Sequence, residues 1–527
     1  MYKHRAPPRA PESHPPARTS PAASTLRQEA ALLESAPSCR VTGTIGTIGR
    51  PQSTANMVAA AQPGAAPWDA VPAHDQLFVL ITGSNRSSTA DVSPRVSGVG
   101  LGIAHRLVDE FLAQRPLTSH LILIPTARSP SKCLQAVHDI RAYAANAAED
   151  PTSPLRARAG PDYVHPRDTL ARVHALGLTL DLCDLRGVRN FAARLVHEEV
   201  SNPRGAEASI EQGGTGEDLR GVRVPRIDSV VCNAAFGGWS GVDYPAAVWS
   251  ILTKGIVQSV TWPTFKGSLP TCILNERQEY ARQAPPRRSV RGVCLWALHA
   301  RASAAASAQP AGVDGPPPGR IIWSSSIEAC RDVFNPDDFQ CFMRDEAYES
   351  AKRLTDVLSL TASVPGSAPF SARWLTPDDA AVAKERPVRP RVYLSHPACA
   401  AHLALARLPW HTVDGYTGSK AAAWLALQEQ PELDARAADR IKWGSTADRH
   451  GRADVKITEV EGWGWEGRVE DPAKDTALDV LHKARGRKHD VLDATREDIE
   501  QFQELGARCW REMEELRARW EDIIDDD

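Results

Sequence analysis

Three side chains beyond the middle of the chain have the types and the spacing of a site for acid–base chemistry. Tyr348 and Lys352 lie one helical turn apart in the segment Tyr-Glu-Ser-Ala-Lys, which places both on one face of a helix. A phenol has a pKa of about 10, so it transfers protons near neutral pH only beside a cation, which Lys352 supplies. Ser326 closes the preceding strand pattern and is placed to hydrogen-bond a carbonyl oxygen that gains negative charge. The pattern predicts reduction of a ketone, with Ser326, Tyr348 and Lys352 as catalytic residues.

A second segment, Tyr416 to Lys420, has the same Tyr-x-x-x-Lys spacing. The order of the elements distinguishes the two segments. Tyr348 follows the strand that ends in Ser326, whereas Tyr416 lies beyond a later predicted strand at 392–394, outside the half of the fold that binds the cofactor. We therefore predict that Tyr348, and not Tyr416, is the acid–base residue.

Glycines after the first predicted strand indicate a binding site for a dinucleotide. Thr82-Gly-Ser-Asn85 and Ser97-Gly-Val-Gly100 together read TGxxxGxG once the intervening residues 86–96 are removed. Such glycines let the backbone approach a pyrophosphate at a helix N-terminus, where free N–H groups favour negative charge. An ordinary Gly-rich turn is the alternative to a phosphate loop. Residues 86–96, which interrupt the pattern, are expected to displace the pyrophosphate. The predicted cofactor-binding residues of this loop are Thr82, Gly83, Asn85, Gly98 and Gly100.

Further cofactor contacts are predicted at the ends of the next three strands. Arg128 stands where folds that prefer NAD carry an acid, so it favours NADPH by pairing with a 2′-phosphate; a solvated surface arginine is the alternative. Asp184 ends the third strand and either caps a helix or contacts adenine. Asn233 opens an Asn-Ala-Ala turn whose small residues leave room for the cofactor. Tyr348 and Lys352 complete the predicted cofactor-binding set.

The elements that must position these groups alternate between short apolar runs and helical patterns. Apolar runs of strand length are separated in most cases by segments with the periodicity of a helix. This alternation predicts an α/β fold with a Rossmann-type doubly wound parallel sheet. The predicted strands are 77–82, 121–124, 178–182, 229–232, 320–323 and 392–394.

Composition divides the chain into three predicted regions. Residues 1–74 are rich in Pro, Ala, Ser and Arg without apolar periodicity, so they are expected to form a disordered tail, with Met57 as an alternative start. Residues 75–430 are predicted to form the Rossmann domain, interrupted by Pro/Gly/Arg-rich loop insertions. Residues 431–527 are predicted to form an extension that contains a long amphipathic helix.

The C-terminal helix carries both a start signal and an apolar stripe. Thr495 and Asp498 have the spacing of a capping box. The helix is expected to pack onto its own domain, and the alternative is docking on a partner or a membrane surface. The stripe consists of Ile499, Phe502, Leu505, Cys509, Met513, Leu516, Trp520 and Ile523.

Composition also bears on the partners of the protein. The formal net charge of -3 provides no basic field, so nucleic acid is not indicated as a partner. The 10 cysteines are scattered without a CxxC pair, which predicts neither a metal site nor a disulfide framework. No apolar stretch reaches the roughly 18 residues of a membrane span, so none is predicted.

The order of strand, Gly loop, Asn-Ala-Ala turn, Ser strand and Tyr–Lys helix resembles the short-chain dehydrogenase/reductase family. Narrower motifs are similar to the fungal 3-ketosteroid reductases of ergosterol synthesis, and together they span roughly residues 76–520. They include IAHRLVDEFL at 103–112, GGWSG at 237–241, VTWP at 260–263, PWHT at 409–412 and EVEGWGW at 459–465.

The resemblance implies an oxidoreductase of sterol biosynthesis and lipid metabolism. It implies that NADPH reduces the 3-ketone left after C4 decarboxylation of a methylsterol, giving the 3β-alcohol. It also implies a place at the endoplasmic reticulum membrane surface or on lipid droplets, beside other enzymes of sterol C4 demethylation. A cytoplasmic location is the alternative.

The chain departs from the family pattern in two further places. The family has a relay Asn in the helix before the Ser strand, whereas residues 294–305 contain none. The family's long apolar segment after residue 398 is reduced here to 399–408, which weakens the expected wall around a sterol. Two alternative functions therefore stay open: a catalytically impaired binding partner in the sterol C4-demethylation complex, acting through its C-terminal helix, and a short-chain reductase for another lipophilic ketone.

Overall fold

A largely parallel sheet forms the centre of the protein in the computed structural model. In the described part of the chain, helices pack on both faces of this sheet. The structure describes residues 66–84, 98–159, 166–205, 219–235, 239–255, 259, 265–268, 318–338, 341, 346–375, 389–397, 414–448, 452–471, 476 and 492–526.

The described part of the chain alternates between strands and helices, as the sequence predicts. The strands are β1 Gln76–Ile81, β2 His120–Ala127, β3 Val173–Ala175, β4 Leu178–Thr179, β5 Ser229–Cys232, β6 Trp239–Val242, β7 Lys266–Ser268, β8 Arg320–Ser324, β9 Arg391–His396, β10 Lys442–Ala447 and β11 Ala453–Thr458. The helices are α1 Val99–Gln114, α2 Pro130–Glu149, α3 Pro154–Ala159, α4 Pro166–Leu170, α5 Leu185–His197, α6 Tyr244–Lys254, α7 Ala347–Thr361, α8 Ala368–Leu375, α9 Gly415–Gly418, α10 Lys420–Leu427, α11 Gln430–Ala435 and α12 Arg496–Asp526.

The strand order of the main sheet is β11-β10-β9-β8-β5-β1-β2-β3, with β4 paired to β2. All of these pairings are parallel except the one between β10 and β11. The chain proceeds outward from β1 in one direction through β2 and β3, and then returns to place β5 on the other side of β1. This arrangement confirms the predicted doubly wound fold, and the carboxyl ends of β1 and β5 form its topological switch point.

Each face of the sheet carries its own apolar core, because neighbouring side chains of a strand point to opposite faces. In β1, Phe78 and Leu80 belong to the core that α5, α7 and α12 cover. Val79 and Ile81 belong to the core that α1, α2 and α10 cover. All four side chains are buried, so β1 is covered on both faces and shows no polar alternation.

The edges of the sheet differ from the sequence prediction. The strand predicted at 178–182 is shorter, since only Leu178 and Thr179 pair with β2, and the outer position belongs to β3. At the other edge, β10 and β11 were not predicted, and both lie after residue 430. Their sequences mix polar and apolar residues, and Asp454 and Lys456 of the outer strand are exposed. The sheet therefore continues across the predicted domain boundary at 430.

The end of the region predicted to be a disordered tail is part of the packed structure. Trp68 is fully buried, with its ring centre 5.6 Å from that of Phe78 and 5.7 Å from that of His174. Its indole N–H donates to the carbonyl oxygen of Arg223 at 3.2 Å. The prediction is wrong for residues 66–74, because a single buried Trp anchors a segment that has no apolar period. Residues 1–65 lie outside the described residues.

The C-terminal helix α12 packs onto its own domain. The hydroxyl of Thr495 accepts a hydrogen bond from the Asp498 N–H at 3.1 Å, and the Asp498 carboxylate accepts one from the Thr495 N–H at 3.0 Å, which confirms the capping box. Its apolar stripe is buried except for Leu505 and Ile523, which are partly buried. The helix packs against α7 and α8, and the Trp510 indole donates to the carbonyl oxygen of Leu358 at 3.0 Å. The stripe is therefore not a free docking surface. None of the described helices has the length and apolar character that a bilayer crossing requires.

Candidate active site

Ser326, Tyr348 and Lys352 come together at the carboxyl end of β8. Ser326 lies just beyond that strand, and the first turn of α7 carries Tyr348, whose hydroxyl shares a hydrogen bond with the Ser326 side chain. Lys352 lies one turn further along α7, with its ammonium nitrogen 5.5 Å from the centre of the Tyr348 ring. The Lys352 ammonium also donates to the carbonyl oxygen of Ser324 at 2.5 Å. A hydroxyl pair and a cation thus lie at the end of a central strand.

The charge around these groups sets their protonation. Burial raises the pKa of Tyr348 above its ordinary value, and the charge of Glu328 raises it further. Tyr348 therefore holds its proton at neutral pH, and its pKa is raised in spite of the neighbouring Lys352, against the lowering that the sequence predicts. Burial lowers the pKa of Lys352 to about 8, and the charge of Lys442 acts in the same direction, while Asp356 opposes both. Lys352 remains mostly protonated at pH 7.

The end of β1 is joined to the end of β5 through Thr82 and Asn233. The Thr82 hydroxyl oxygen accepts hydrogen bonds from the N–H groups of Asn233 and Ala234, both at 3.0 Å. The Asn233 amide donates to the carbonyl oxygens of Thr82 at 3.2 Å and Gly83 at 3.4 Å. These contacts hold the two strands together at the switch point, so both residues shape the floor of the predicted cofactor site.

The predicted phosphate loop is too narrow for side chains at two of its glycines. Gly83 has a φ of +69°, which favours glycine, and a Cβ on Gly100 would lie 2.4 Å from the carbonyl oxygen of Gly83. Gly98 is the N-cap residue of α1, and it provides no side-chain hydrogen bond to the helix. Among the described residues, none caps the first N–H groups of α1 from the N-cap position, which suits a pyrophosphate. Asn85 and the insertion 86–96 lie outside the described residues.

Arg128 and Asp184 have different surroundings. Arg128 follows β2 directly and is exposed, and the end of β2 is bonded to the Gly loop through the Ser84 N–H and the carbonyl oxygen of Thr126, 3.1 Å apart. Asp184 caps α5, because its carboxylate accepts a hydrogen bond from the Gly187 N–H at 2.9 Å. Of the two roles that the sequence left open for Asp184, the structure contains the capping contact.

The second Tyr-x-x-x-Lys segment lies against α1. The Tyr416 hydroxyl donates to the carboxylate of Asp109 at 2.5 Å, and the Lys420 ammonium donates to that of Glu110 at 2.7 Å. The guanidinium of Arg106 stacks on the Tyr416 ring, 4.0 Å from its centre. Tyr416 and Lys420 therefore connect α9 and α10 to the helix that begins at the phosphate loop.

Lys442 and Asp356 belong to the site but were not predicted. The Lys442 ammonium donates to the carbonyl oxygen of Ser326 at 2.8 Å and to the Asp356 carboxylate at 2.7 Å. The other carboxylate oxygen of Asp356 accepts a hydrogen bond from the Ser325 hydroxyl at 2.5 Å. Asp356 lies one helical turn after Lys352, so the sequence could have predicted from this spacing that Asp356 belongs to the site. Lys442 lies on a strand far along the chain, so no local spacing connects it to Ser326.

Part of the substrate side lies outside the described residues. This holds for residues 294–305, the short apolar segment 399–408, and the motifs at 260–263 and 409–412. Of the motif at 237–241, the backbone of 239–241 belongs to β6. Within the described residues, no group of His, Cys, Asp and Glu side chains has the geometry of a metal site.

Comparison with known proteins finds similar sequences over most of the chain. No family model matches the sequence. The chain is 50% identical over 485 residues to a 3-keto-steroid reductase of Gibberella zeae, which covers 88% of this chain and 98% of that protein. It is 31% identical over 488 residues to a 3-keto-steroid reductase of Aspergillus fumigatus, covering 86% and 95%. A metagenomic short-chain oxidoreductase in complex with NADP is 16% identical, with 67% and 92% covered and a TM-score of 0.27.

The two relatives show the family, because the similarity extends over most of this chain and nearly the full length of each relative. The resemblance seen in the motifs is thereby confirmed. The chain belongs to the 3-keto-steroid reductases, a family of oxidoreductases.

Proposed function

We propose that the protein reduces the 3-ketone of a C4-demethylated sterol intermediate to the 3β-alcohol, with NADPH as the hydride donor, in ergosterol biosynthesis. The observation that carries the proposal is the hydrogen bond between Ser326 and Tyr348 beside the Lys352 ammonium, at the carboxyl edge of a doubly wound sheet. The two relatives are 3-keto-steroid reductases, which supports a steroid substrate and the position of its ketone.

The glycine loop and the end of β2 are the groups that would hold NADPH. The backbone at Gly83, Gly98 and Gly100 would hold the pyrophosphate at the N-terminus of α1, and glycine at position 100 lets the loop lie this close to the helix, because a Cβ there would meet the carbonyl oxygen of Gly83 at 2.4 Å. The exposed guanidinium of Arg128 would pair with the 2′-phosphate. Bound there, NADPH would supply the hydride for the substrate carbonyl carbon.

The protein's own groups complete the reduction at the carbonyl oxygen. The hydroxyl of Ser326 donates a hydrogen bond to that oxygen, and Tyr348 transfers its proton to it as negative charge develops. The ammonium of Lys352 stabilises the phenolate that remains on Tyr348. The protonated state of Tyr348 at neutral pH suits this direction of the reaction.

We also propose where in the cell the protein acts. We place the protein at the endoplasmic reticulum or on lipid droplets, where a sterol ketone partitions and other enzymes of C4 demethylation would supply it. These partners and this location rest on the family alone.

Purified full-length protein tests the proposal directly. We expect NADPH to bind, as measured by its fluorescence, and to be oxidised when a 3-ketosteroid is added, with Arg128→Ala losing preference for NADPH over NADH. Absence of steroid-dependent oxidation, while another lipophilic ketone is reduced, would show that the substrate class is wrong.

The insertion 86–96 favours one rival function, a catalytically impaired binding partner in the sterol C4-demethylation complex. A variant that lacks 86–96 separates the two functions. If only the shortened variant binds NADPH and turns over, the natural chain is impaired by its insertion, and if neither does, the reductase assignment fails.

A further inference from the structure

A buried ion pair lies behind the Ser326–Tyr348 pair and takes no direct part in the proposed reaction. Lys442 of β10 and Asp356 of α7 are 2.7 Å apart, and their side chains are 4% and 1% exposed. Two charges removed from water are costly to keep unless each is paired and its remaining hydrogen-bonding capacity is used. Such a pair in this position therefore requires an explanation beyond stability.

The contacts of the pair join three elements of the site. Asp356 accepts hydrogen bonds from Lys442 and, with its other oxygen, from the Ser325 hydroxyl at 2.5 Å. Lys442 also donates to the carbonyl oxygen of Ser326 at 2.8 Å. The end of β8 is thereby fixed against both β10 and α7, immediately beside the residue whose hydroxyl meets Tyr348.

We propose that Lys442 and Asp356 are positioning residues, which hold Ser326 against the Tyr348–Lys352 face of α7 and balance the charge around the Lys352 ammonium. This inference rests on the proposed function, since it assigns to the pair a role in the same site. Lys442 and Asp356 act through Ser326 and Lys352 and do not touch the substrate.

The charges around Lys352 come from several elements. On its own helix it faces Asp356, which raises its pKa, and from β10 it faces Lys442, which lowers it. Glu328 beyond β8 also raises that pKa, whereas Cys232 of β5 is an uncharged thiol near neutral pH because burial raises its own pKa. Burial, together with Lys442, lowers the pKa of His396 of β9 to about 3, so that imidazole adds no charge near neutral pH. The two members of the pair thus act on Lys352 in opposite directions.

Opposite shifts of the alkaline fall of kcat/KM in variants of the two residues test the proposal, because a pair that only stabilises the fold would not produce them. In the full-length protein we expect Asp356→Asn to move the alkaline fall of kcat/KM to lower pH and Lys442→Met to move it to higher pH, each by roughly one pH unit. Misplacement of Ser326 should also lower kcat by about tenfold or more, with a smaller effect on KM. A pH profile that neither variant shifts would overturn the proposal.

A second ion pair, with Arg226 buried and Asp228 partly buried, provides the control. Arg226 and Asp228 are 2.7 Å apart, and the pair lies just before β5, at the opposite end of that strand from the site. We expect Asp228→Asn to lower the melting temperature but to leave kcat and the alkaline limb in place. Equal kinetic losses in Asp228→Asn and Asp356→Asn would reduce the Lys442–Asp356 pair to a general stabilising element.

A readout without turnover separates this inference from the proposed function. In protein labelled with lysine carrying ¹³C at the ε position, the Lys352 signal, assigned with Lys352→Met, reports its titration directly. If the natural chain reduces no ketone, the proposed function fails, but opposite shifts of this titration in Asp356→Asn and Lys442→Met still support the charge balance. Unshifted titration overturns it. Because Asn matches the shape of Asp, Asp356→Asn alone decides the result if Lys442→Met does not fold.

Discussion

The segments Tyr348–Lys352 and Tyr416–Lys420 have the same spacing but different partners. The Tyr348 hydroxyl meets the neutral hydroxyl of Ser326, and Lys352 donates to a main-chain carbonyl oxygen. The Tyr416 hydroxyl donates to a carboxylate, and Lys420 is ion-paired. The spacing places two groups on one helix face, and the elements packed against that face decide what they can do.

The pKa of the tyrosine does not separate the two segments. Burial raises the pKa of both phenols, with Glu328 adding to the effect at Tyr348 and Asp109 at Tyr416. The partner does separate them. A neutral hydroxyl can exchange its hydrogen bond for one with a substrate oxygen at little cost, whereas a buried carboxylate that loses its donor is left unsatisfied. Only the first arrangement is suited to turnover.

Replacing each tyrosine by phenylalanine gives the largest expected difference. Tyr348→Phe removes the proton donor and should lower kcat by about 10²–10⁴-fold, with little change in stability. Tyr416→Phe should leave kcat within a few-fold and lower the free energy of unfolding by about 2 kcal/mol, since Asp109 loses one of its donors. Steady-state kinetics and denaturant unfolding of both variants provide the measurement. A loss of turnover confined to Tyr416→Phe would reverse the assignment.

Replacing each lysine extends the comparison. Lys352→Met removes the cation that stabilises the Tyr348 phenolate, so kcat should fall by about 10²-fold. Lys420→Met leaves Glu110 paired with Arg106 at 3.0 Å, so turnover should be retained and stability should change by about 1 kcal/mol or less. NADPH oxidation and thermal unfolding distinguish the two outcomes. Equal kinetic losses would mean that the α1 contacts of Lys420 matter for cofactor binding.

The central sheet was predictable because its strands are buried on both faces. Runs such as the one that contains Phe78 and Ile81 are apolar at every position, and such runs, separated by helical patterns, indicate parallel strands. Strand β11 has exposed charges at Asp454 and Lys456, so its sequence does not resemble a buried strand. The prediction therefore failed at the edges, where tertiary pairing and not local pattern determines the structure.

In the site, too, local spacing was predictable and tertiary contacts were not. The spacing of Tyr348 and Lys352 and the order after Ser326 are local signals, and the structure brings these residues together. The contact between Lys442 and Ser326 joins residues on β10 and at the end of β8, which are neighbours only through β9. No local pattern can express a contact of that kind. The packing of Trp68 was missed for the same reason.

The pH dependence of turnover also distinguishes the two segments. The pKa of Lys352 lies at about 8, so its cation is present at neutral pH and is lost as the pH rises through that value. We expect kcat/KM to fall by up to tenfold per pH unit above about 8. Tyr416→Phe should show the same alkaline limb, because its phenol takes no part. If the alkaline fall of kcat/KM disappears in Tyr416→Phe, the titrating group belongs to the Tyr416–Lys420 segment and not to Tyr348–Lys352.

Replacing Asp109, the partner of Tyr416, has the smallest expected effect. It should change the pH dependence of stability without changing turnover. Burial raises the pKa of Asp109, so the folded protein holds this proton more tightly than the unfolded chain does. Stability should therefore decline as the pH rises through the ordinary pKa of an aspartate, about 3.9, up to the raised value. Asp109→Asn should remove that slope and leave kcat unchanged, since the amide oxygen can still accept from Tyr416 or Tyr143. Unfolding measured across acidic pH tests this, and an unchanged slope would mean that Asp109 does not titrate apart from its neighbours.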